Sequence, residues 1–409
     1  MSFGASYPLL NNVLHIPSTR QPLDIRSTIT YLLPPCLSYI VVAILVILPG
    51  TRTLRIAVWP LIAILAFRAA VYVDLSNGDP KNTFRNVQLE LTMFIVAIRT
   101  LEWSFPKEPL KRHLRPANST PSLVMDALDL ATNVRGVGWS WSKSAYVPPE
   151  TRPISSRTVF CLYVLLSALV QGVMCGILHT ALQAFSPDTC TIPGGGSIFD
   201  TSLPPLIRYV RSSIIAVAAA FGLCFLLQFN YNVGTLIGVA VFRQDPAQWP
   251  PVIQAPWLAT SVRDFWSHRW HQLFRRSFIV LGGRPLSILF GNAGYIFGSF
   301  LASGIFHHTI VLMFNGSTEM WCMILSFWMM AAGIVLEDAF TSLTGRRVGG
   351  WKGWLWTMAW LLVWGNLIVD GSARAGMIVS SSILDSASPA RAVVERYMSA
   401  FDNWLHTFA

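Results

Sequence analysis

The chain has 409 residues, 53% of them hydrophobic and only 12% charged, with a formal charge of +10 and a mean hydropathy of +0.49. Soluble domains carry about 25% charged residues, so an ordinary soluble enzyme is excluded. The basic residues sit between apolar runs and accompany no recognised nucleic-acid-binding motif, which excludes that class of partner as well.

Several runs reach the roughly 20 apolar residues needed to cross a bilayer, and strand-period alternation is absent. The fold expected is therefore all-α, a polytopic integral membrane bundle of about eight transmembrane helices, with seven to nine as the range. The six cysteines are scattered, with no CxxC pair, so neither a zinc site nor a disulfide framework follows. No metal and no tightly bound cofactor is expected.

In chain order, residues 1–28 read as an exposed N-terminal tail. The first apolar run covers about 29–48, is interrupted by Pro34-Pro35, and is expected to act as an uncleaved signal anchor. A second run covers 56–73. The third, 87–103, contains Glu90, Arg99 and Glu102. It reads as a spanning helix with an interior polar face, or as an interfacial helix. The segment 104–157 is the longest polar one and strongly basic. Within it, Gly136-Val137-Gly138-Trp139-Ser140-Trp141 suits a segment lying at the membrane surface, where indoles prefer to sit.

A fourth run, 159–185, carries His179. The loop 186–205 holds Asp188 and Asp200 but no Lys or Arg, so the positive-inside rule places it on the non-cytoplasmic side. Residues 206–242 form either one long helix or two, with Gly234 and Gly238 as possible breaks. Gln228-Phe229-Asn230-Tyr231-Asn232 puts polar groups at depth there. A basic, tryptophan-rich segment follows, then a spanning run over 285–314. The sequon Asn315-Gly316-Ser317 lies too close to the bilayer for modification to be expected. Further runs cover 321–335 and 354–368, and an amphipathic tail ends the chain, suited to a membrane surface. The organisation expected is tail 1–28, N-terminal helices and basic loop 29–157, core 158–370 and tail 371–409.

The chemistry concentrates between Pro256 and His308. Phe265-Trp266-Ser267-His268-Arg269-Trp270-His271 is dense in aromatic and basic groups, with Arg275 and Arg276 just beyond. Arginine clamps phosphate and tryptophan stacks on an adenine ring, so Trp266, Arg269, Trp270, Arg275 and Arg276 are candidates for holding a phosphorylated carrier. His307 lies 36 positions after His271, inside an apolar run. A desolvated imidazole tends to stay neutral, and a neutral imidazole can take a proton from an attacking hydroxyl. Ser303 lies one turn earlier on the same face, and Gly304 lets another backbone approach. His308 points elsewhere on the helix, and His179 reads as structural.

The first of these motifs resembles the Phe-Trp-x-x-Arg-Trp-(Asn/His) motif of wax synthase-like enzymes, relatives of the membrane-bound O-acyltransferases. Ser303-Gly304-Ile305-Phe306-His307 resembles their Ser-Gly-x-x-His signature, whose histidine is taken as catalytic. Arg135-Gly136-Val137-Gly138-Trp139, Pro256, Ser261 and Val348-Gly349-Gly350 are similar to further pieces found in fungal natural-product O-acetyltransferases. The position often held by Asn is His271 here, and position 308, often acidic in plant wax synthases, is His.

The resemblance implies transfer of an acyl group, most simply acetyl, from acyl-CoA to a hydroxyl of a hydrophobic acceptor such as a terpenoid or polyketide alcohol. It implies His307 as general base, His271 as a group that orients reactants or donates to the oxyanion, and Ser303 as part of the substrate site. Acyl-CoA is then a co-substrate, the lipid bilayer a partner, and the endoplasmic reticulum the expected membrane. The alternatives are a long-chain wax ester or sterol ester synthase and, from other classes, a membrane terpene cyclase or a transporter.

Overall fold

The computed structural model describes residues 15–115, 120–142, 146–192, 194–315, 319–379 and 389–408. The chain is all-α; among the described residues the only sheet is a two-residue parallel pair, Gln21–Pro22 with Val73–Asp74. Among the described residues six helical stretches have the length and apolar composition to cross a membrane: Ile25–Leu45 (α1), Arg52–Tyr72 (α2), Arg157–Phe185 (α5), Pro205–Val241 (α6), Arg275–Leu312, which is interrupted at Gly291, and Met320–Thr344 (α7). Two more, Phe84–Ser104 (α3, 21 residues) and Gly350–Arg374 (α8, 25 residues), have the length with a more polar or tryptophan-rich composition. The shorter helices are Leu123–Thr132 (α4) and Pro389–His406 (α9). The chain forms two compact units, residues 1–143 and 144–409.

In the first unit α1 to α4 pack around Val42, Ala66, Met93, Trp103, Leu130 and Trp139. The polar face of α3 turns inward, since Glu90, Arg99 and Glu102 are all buried. Arg99 donates to the carbonyls of Leu130 (2.9 Å) and Asn133 (3.0 Å), so it satisfies the open carbonyls at the end of α4. Its guanidinium lies 4.9 Å from the Trp103 ring centre and 4.3 Å from that of Trp141.

The surface placement expected for Trp139 and Trp141 is overturned: both are buried. Trp139 Nε1 donates to Asp129 Oδ2 at 2.8 Å, and Trp141 stacks on Arg99. Gly136 and Gly138, at φ +64 and +87, make the turn that folds these indoles back into the unit. The basic loop also neutralises its own arginines, with Arg115 on Asp126 at 2.6 Å and Arg112 on Asp129 at 2.8 Å.

In the second unit α5 and α6 run antiparallel. Gly172 accepts the ring of Phe229, and Leu178 meets Gly222. The region 206–242 is one helix, closed by a π-helical turn at Ile237–Val241. Gly238 there is not a break but the seat of the Trp249 indole. Asn230 is exposed, but Asn232 Nδ2 donates to Gln171 Oε1 (2.8 Å), so Asn232 and Gln171 face the bundle. They line, with Arg152 and Gln228, a cavity of about 160 Å³.

The tail helix α9 docks on the end of α5 and α6. Arg211 pairs with Asp402 at 2.7 Å, His406 with Asp200 at 3.0 Å, and Phe401 packs on Phe185. Its opposite face leaves Val393, Tyr397 and Trp404 exposed. Residues 1–14 of the expected N-terminal tail, and Gly316 and Ser317 of the sequon, lie outside the described residues.

The largest departure from the sequence expectation is the run 285–314, read above as one spanning segment. The chain reverses inside it, at Gly291 (φ 57, ψ −138). Gly282 abuts the Gly298 carbonyl, Leu286 faces Gly294, and Phe278 packs on Phe306. As one partner's number rises the other's falls, so arms 275–290 and 292–315 form an antiparallel hairpin. Glycines at 282, 294 and 298 let the two backbones touch. Residues at the turn are strongly exposed, Ile288 at 84% and Phe290 at 65%.

Candidate active site

The motif segment forms a third, parallel limb beside the hairpin. Val262 packs with Ile296, Ala331 and Ile334. Trp266 packs with Phe300 and Phe327, and Phe274 with Phe306. The segment thus advances in step with arm 292–315, and the chain then turns back along 275–290. Phe306 lies roughly 15 residues, or about 22 Å, from the Gly291 turn. The hairpin is therefore what brings His271 up to His307.

Several bonds fix the segment. Ser261 caps its first turn, accepting from Asp264 N at 2.8 Å. Glu337 on α7 accepts from Val262 N (2.6 Å), Arg263 N (3.1 Å) and Trp356 Nε1 (3.0 Å). A carboxylate at a helix N-terminus is favourable. Arg269 spends its Nε on Asp264 at 2.5 Å and its Nη1 on the Ala255 carbonyl at 3.2 Å. Trp270 stacks on Phe265 at 5.4 Å. Helix α8 presses its first turn against the segment's start, where Gly353 lies on the Thr260 carbonyl.

His307 Nδ1 lies 2.8 Å from the Ser303 carbonyl and 3.4 Å from Ser303 Oγ. A carbonyl only accepts, so Nδ1 carries the proton and donates it there. Nε2 is left with its lone pair, the tautomer a general base needs. The ring packs 4.5 Å from Phe327, which also touches Trp266. Gly304 meets the backbone of Met323 and Ile324, so the close approach expected of it is made by α7.

His271 is held near His307 with Nδ1 buried and unpartnered among the described residues. Burial pushes its imidazole down to about 3, and the proximity of His307 adds to this. It is neutral at physiological pH. Trp266 Nε1 and Gln272 Oε1 are likewise buried without a hydrogen-bond partner among the described residues. Arg275 is exposed and Arg276 partly buried, both level with Phe306 rather than at the hairpin's turn. His308 is buried on another face, and His179 bonds the Ile378 carbonyl at 2.7 Å. No group of three or more His, Cys, Asp or Glu placed to hold a metal occurs among the described residues.

The profile of the membrane bound O-acyl transferase family matches residues 249–329, the stretch that holds the motif segment, the hairpin and the first turns of α7. The chain is 24% identical over 387 residues to the acetyltransferase spyB of Aspergillus fumigatus, covering 84% of this chain and 64% of that one. It is 27% identical over 289 residues to the acetyltransferase ple2 of Rhodocybe pseudopiperita, covering 62% and 69%. It is 30% identical over 172 residues to the O-Mevalon transferase yanI of Aspergillus niger, covering 40% and 36%. Over residues 249–329 the chain is thus similar to the membrane bound O-acyl transferases, and over more of its length to fungal acetyltransferases.

This chain spans less than two thirds of the length of spyB, the first of these relatives. The residues singled out from sequence separate into two groups. Trp266 and His307 both pack on Phe327, Ser303 accepts from His307, and His271 lies close enough to His307 to feel its charge. Arg269 and Trp270 are engaged in holding the segment's own shape. Sequence reasoning missed Glu337, Asp264, Phe327 and Gln272. The small residues at 282, 294 and 298 carried a readable sign of tight helix pairing. Glu337 carried none beyond being an acid in an apolar run.

Proposed function

We propose that the chain is an acyltransferase that moves an acetyl group from acetyl-CoA to a hydroxyl of a hydrophobic acceptor, a terpenoid or polyketide alcohol of secondary metabolism. The observation that carries the reading is the bare Nε2 of His307, fixed by the Nδ1–H bond to Ser303 and set beside neutral His271. The acceptor hydroxyl attacks the thioester carbonyl while its proton passes to His307 Nε2. The tetrahedral intermediate then collapses, the carbon–sulfur bond breaks, and the CoA thiolate takes the proton from the imidazolium. A general base of this kind contributes about 10²–10⁴-fold.

His271 offers one N–H and orients the thioester or steadies its oxyanion. The aromatic walls of Trp266, Phe300, Phe306 and Phe327 keep water away from the thioester. Arg275 and Arg276 support the electrostatics of the carrier's approach. The acyl group is the less constrained half of the proposal. Two relatives bear the name O-Mevalon transferase, and a long-chain donor remains the alternative within the class.

Membranes containing the protein, incubated with labelled acetyl-CoA, a mevalonyl donor or a long-chain acyl-CoA and a panel of hydroxylated terpenoids and lipids, test this directly. Acetyl transfer is expected, and His307→Ala should lower it at least about 10²-fold. Full transfer by His307→Ala overturns the mechanism. Transfer from none of the donors, with isomerisation of a polyene or uptake of a solute, overturns the class. A tagged chain co-migrating with endoplasmic reticulum markers is the expected localisation.

A further inference from the structure

Gln272 follows the motif histidine and has no role in the chemistry so far. Its Nε2 donates to two carbonyls, Trp266 O at 3.0 Å and Trp270 O at 2.7 Å. Both amide hydrogens are thereby used, so the amide cannot flip, and Oε1 is held in one direction. That oxygen is buried and accepts from no described group. A buried carbonyl oxygen without a donor costs about 1–3 kcal/mol. Two peptide carbonyls and the packing of Trp266 and Trp270 hold it there nonetheless. A site that keeps an acceptor fixed and empty is shaped for a ligand that brings an N–H or O–H.

The donor has to reach the neighbourhood of His271, because Gln272 is the next residue in the chain. The acceptor hydroxyl is already committed, since its proton goes to His307. The acyl carrier supplies a second donor at a fixed place. Two methylenes separate the thioester sulfur from the cysteamine amide N–H, whatever the acyl group or acceptor. We propose that Gln272 Oε1 accepts a hydrogen bond from the cysteamine amide N–H of CoA and so registers the thioester against His271 and His307. The proposal rests on the acyl-CoA reading given above. It makes Gln272 a substrate-binding residue that senses the carrier and is indifferent to the acyl chain.

The test uses the full chain in detergent micelles or nanodiscs and two probes, CoA and a CoA analogue whose cysteamine amide N–H is replaced by an ester oxygen. Binding is measured by titration calorimetry, so the result does not depend on turnover. The unmodified protein is expected to bind the ester analogue roughly 10- to 100-fold more weakly than CoA, because the analogue leaves Oε1 unpaired. Gln272→Leu is expected to bind both alike. If that variant fails to fold, the comparison within the unmodified protein decides alone. Equal affinity for the two probes, or no binding of CoA, overturns the assignment. So does discrimination that persists in Gln272→Leu. Discrimination without acetyl transfer to any acceptor would leave the carrier site standing and overturn only the proposed reaction.

Discussion

Replacing Gly298 by alanine should separate the two arms of the hairpin and with them the two histidines. The added Cβ would stand 2.3 Å from the Gly282 carbonyl oxygen, 2.7 Å from its carbon and 3.0 Å from Leu286 Cβ. The first two belong to a helical backbone and cannot swing away. Restoring ordinary contact requires the arms to part by about 1 Å, at a cost of about 1–3 kcal/mol in overpacking. His307 continues from the arm that carries Gly298, and His271 leads into the other, so the parting passes to the distance between the imidazoles. A 1 Å misplacement of reacting groups costs about 10²-fold. The expected result for Gly298→Ala in the acetyl-transfer assay is a loss of that order in kcat, beside a lowered thermal midpoint. Gly365→Ala is the control, because nothing lies within 4 Å of the Cβ it adds. A Gly298→Ala protein with full kcat and an unchanged midpoint would refute the hairpin as the device that sets the site.

Three further outcomes are expected. Burial holds His271 at about 3 against an ordinary 6.5, so between those values the unfolded chain binds a proton that the folded chain refuses. Stability should therefore fall by about 1.4 kcal/mol for each pH unit below 6.5, and denaturation midpoints of His271→Gln should lack that slope. Glu337→Ala strands the amides of Val262 and Arg263 and the Trp356 indole, and should cost about 2–3 kcal/mol; an unaltered midpoint would remove Glu337 from the site's support. At the other end of the unit, His406 is raised chiefly by the Asp402 carbonyl, against burial, with Asp200 adding. Burial opposes ionisation of Asp200, but hydrogen bonds from Ser202 and then His406 hold it at about 2. The contact's contribution is present below the ordinary histidine value and lost as pH rises through the raised one. Limited proteolysis of α9 should accelerate over that rise, and His406→Gln should show no such dependence.

The parts of the site that were legible in the sequence are those fixed by one helix. Ser303 and His307 share a face because they are four residues apart, and Gly304 admits a neighbour because it lacks a Cβ. Apolar runs announced the spanning helices for the same reason, since hydropathy is a local property. What was hidden depends on a second segment. Trp139 and Trp141 read as surface anchors until Arg99, from another helix, is placed against them. Arg269 read as a phosphate clamp, yet Asp264 and the Ala255 carbonyl occupy it. Arg275 and Arg276 read as candidates for holding a phosphorylated carrier, and only the reversal of the chain shows that they lie level with Phe306.

That reversal hid because both arms of the hairpin are apolar and a hydropathy average cannot register a change of direction. Yet the spacing of the two histidines contained it. The midpoint between His271 and His307 is position 289, two residues before Gly291. In an antiparallel pair, residues equidistant from the turn meet, so a glycine at the centre of two separated functional residues is itself a statement about their proximity. The consequence is specific. Extending either arm by one helical turn slides the partner of His307 from His271 by about 5 Å, which no side-chain rearrangement at the site can recover. Extending both arms equally preserves the pairing, provided the extra turns are added between the histidines and Gly291.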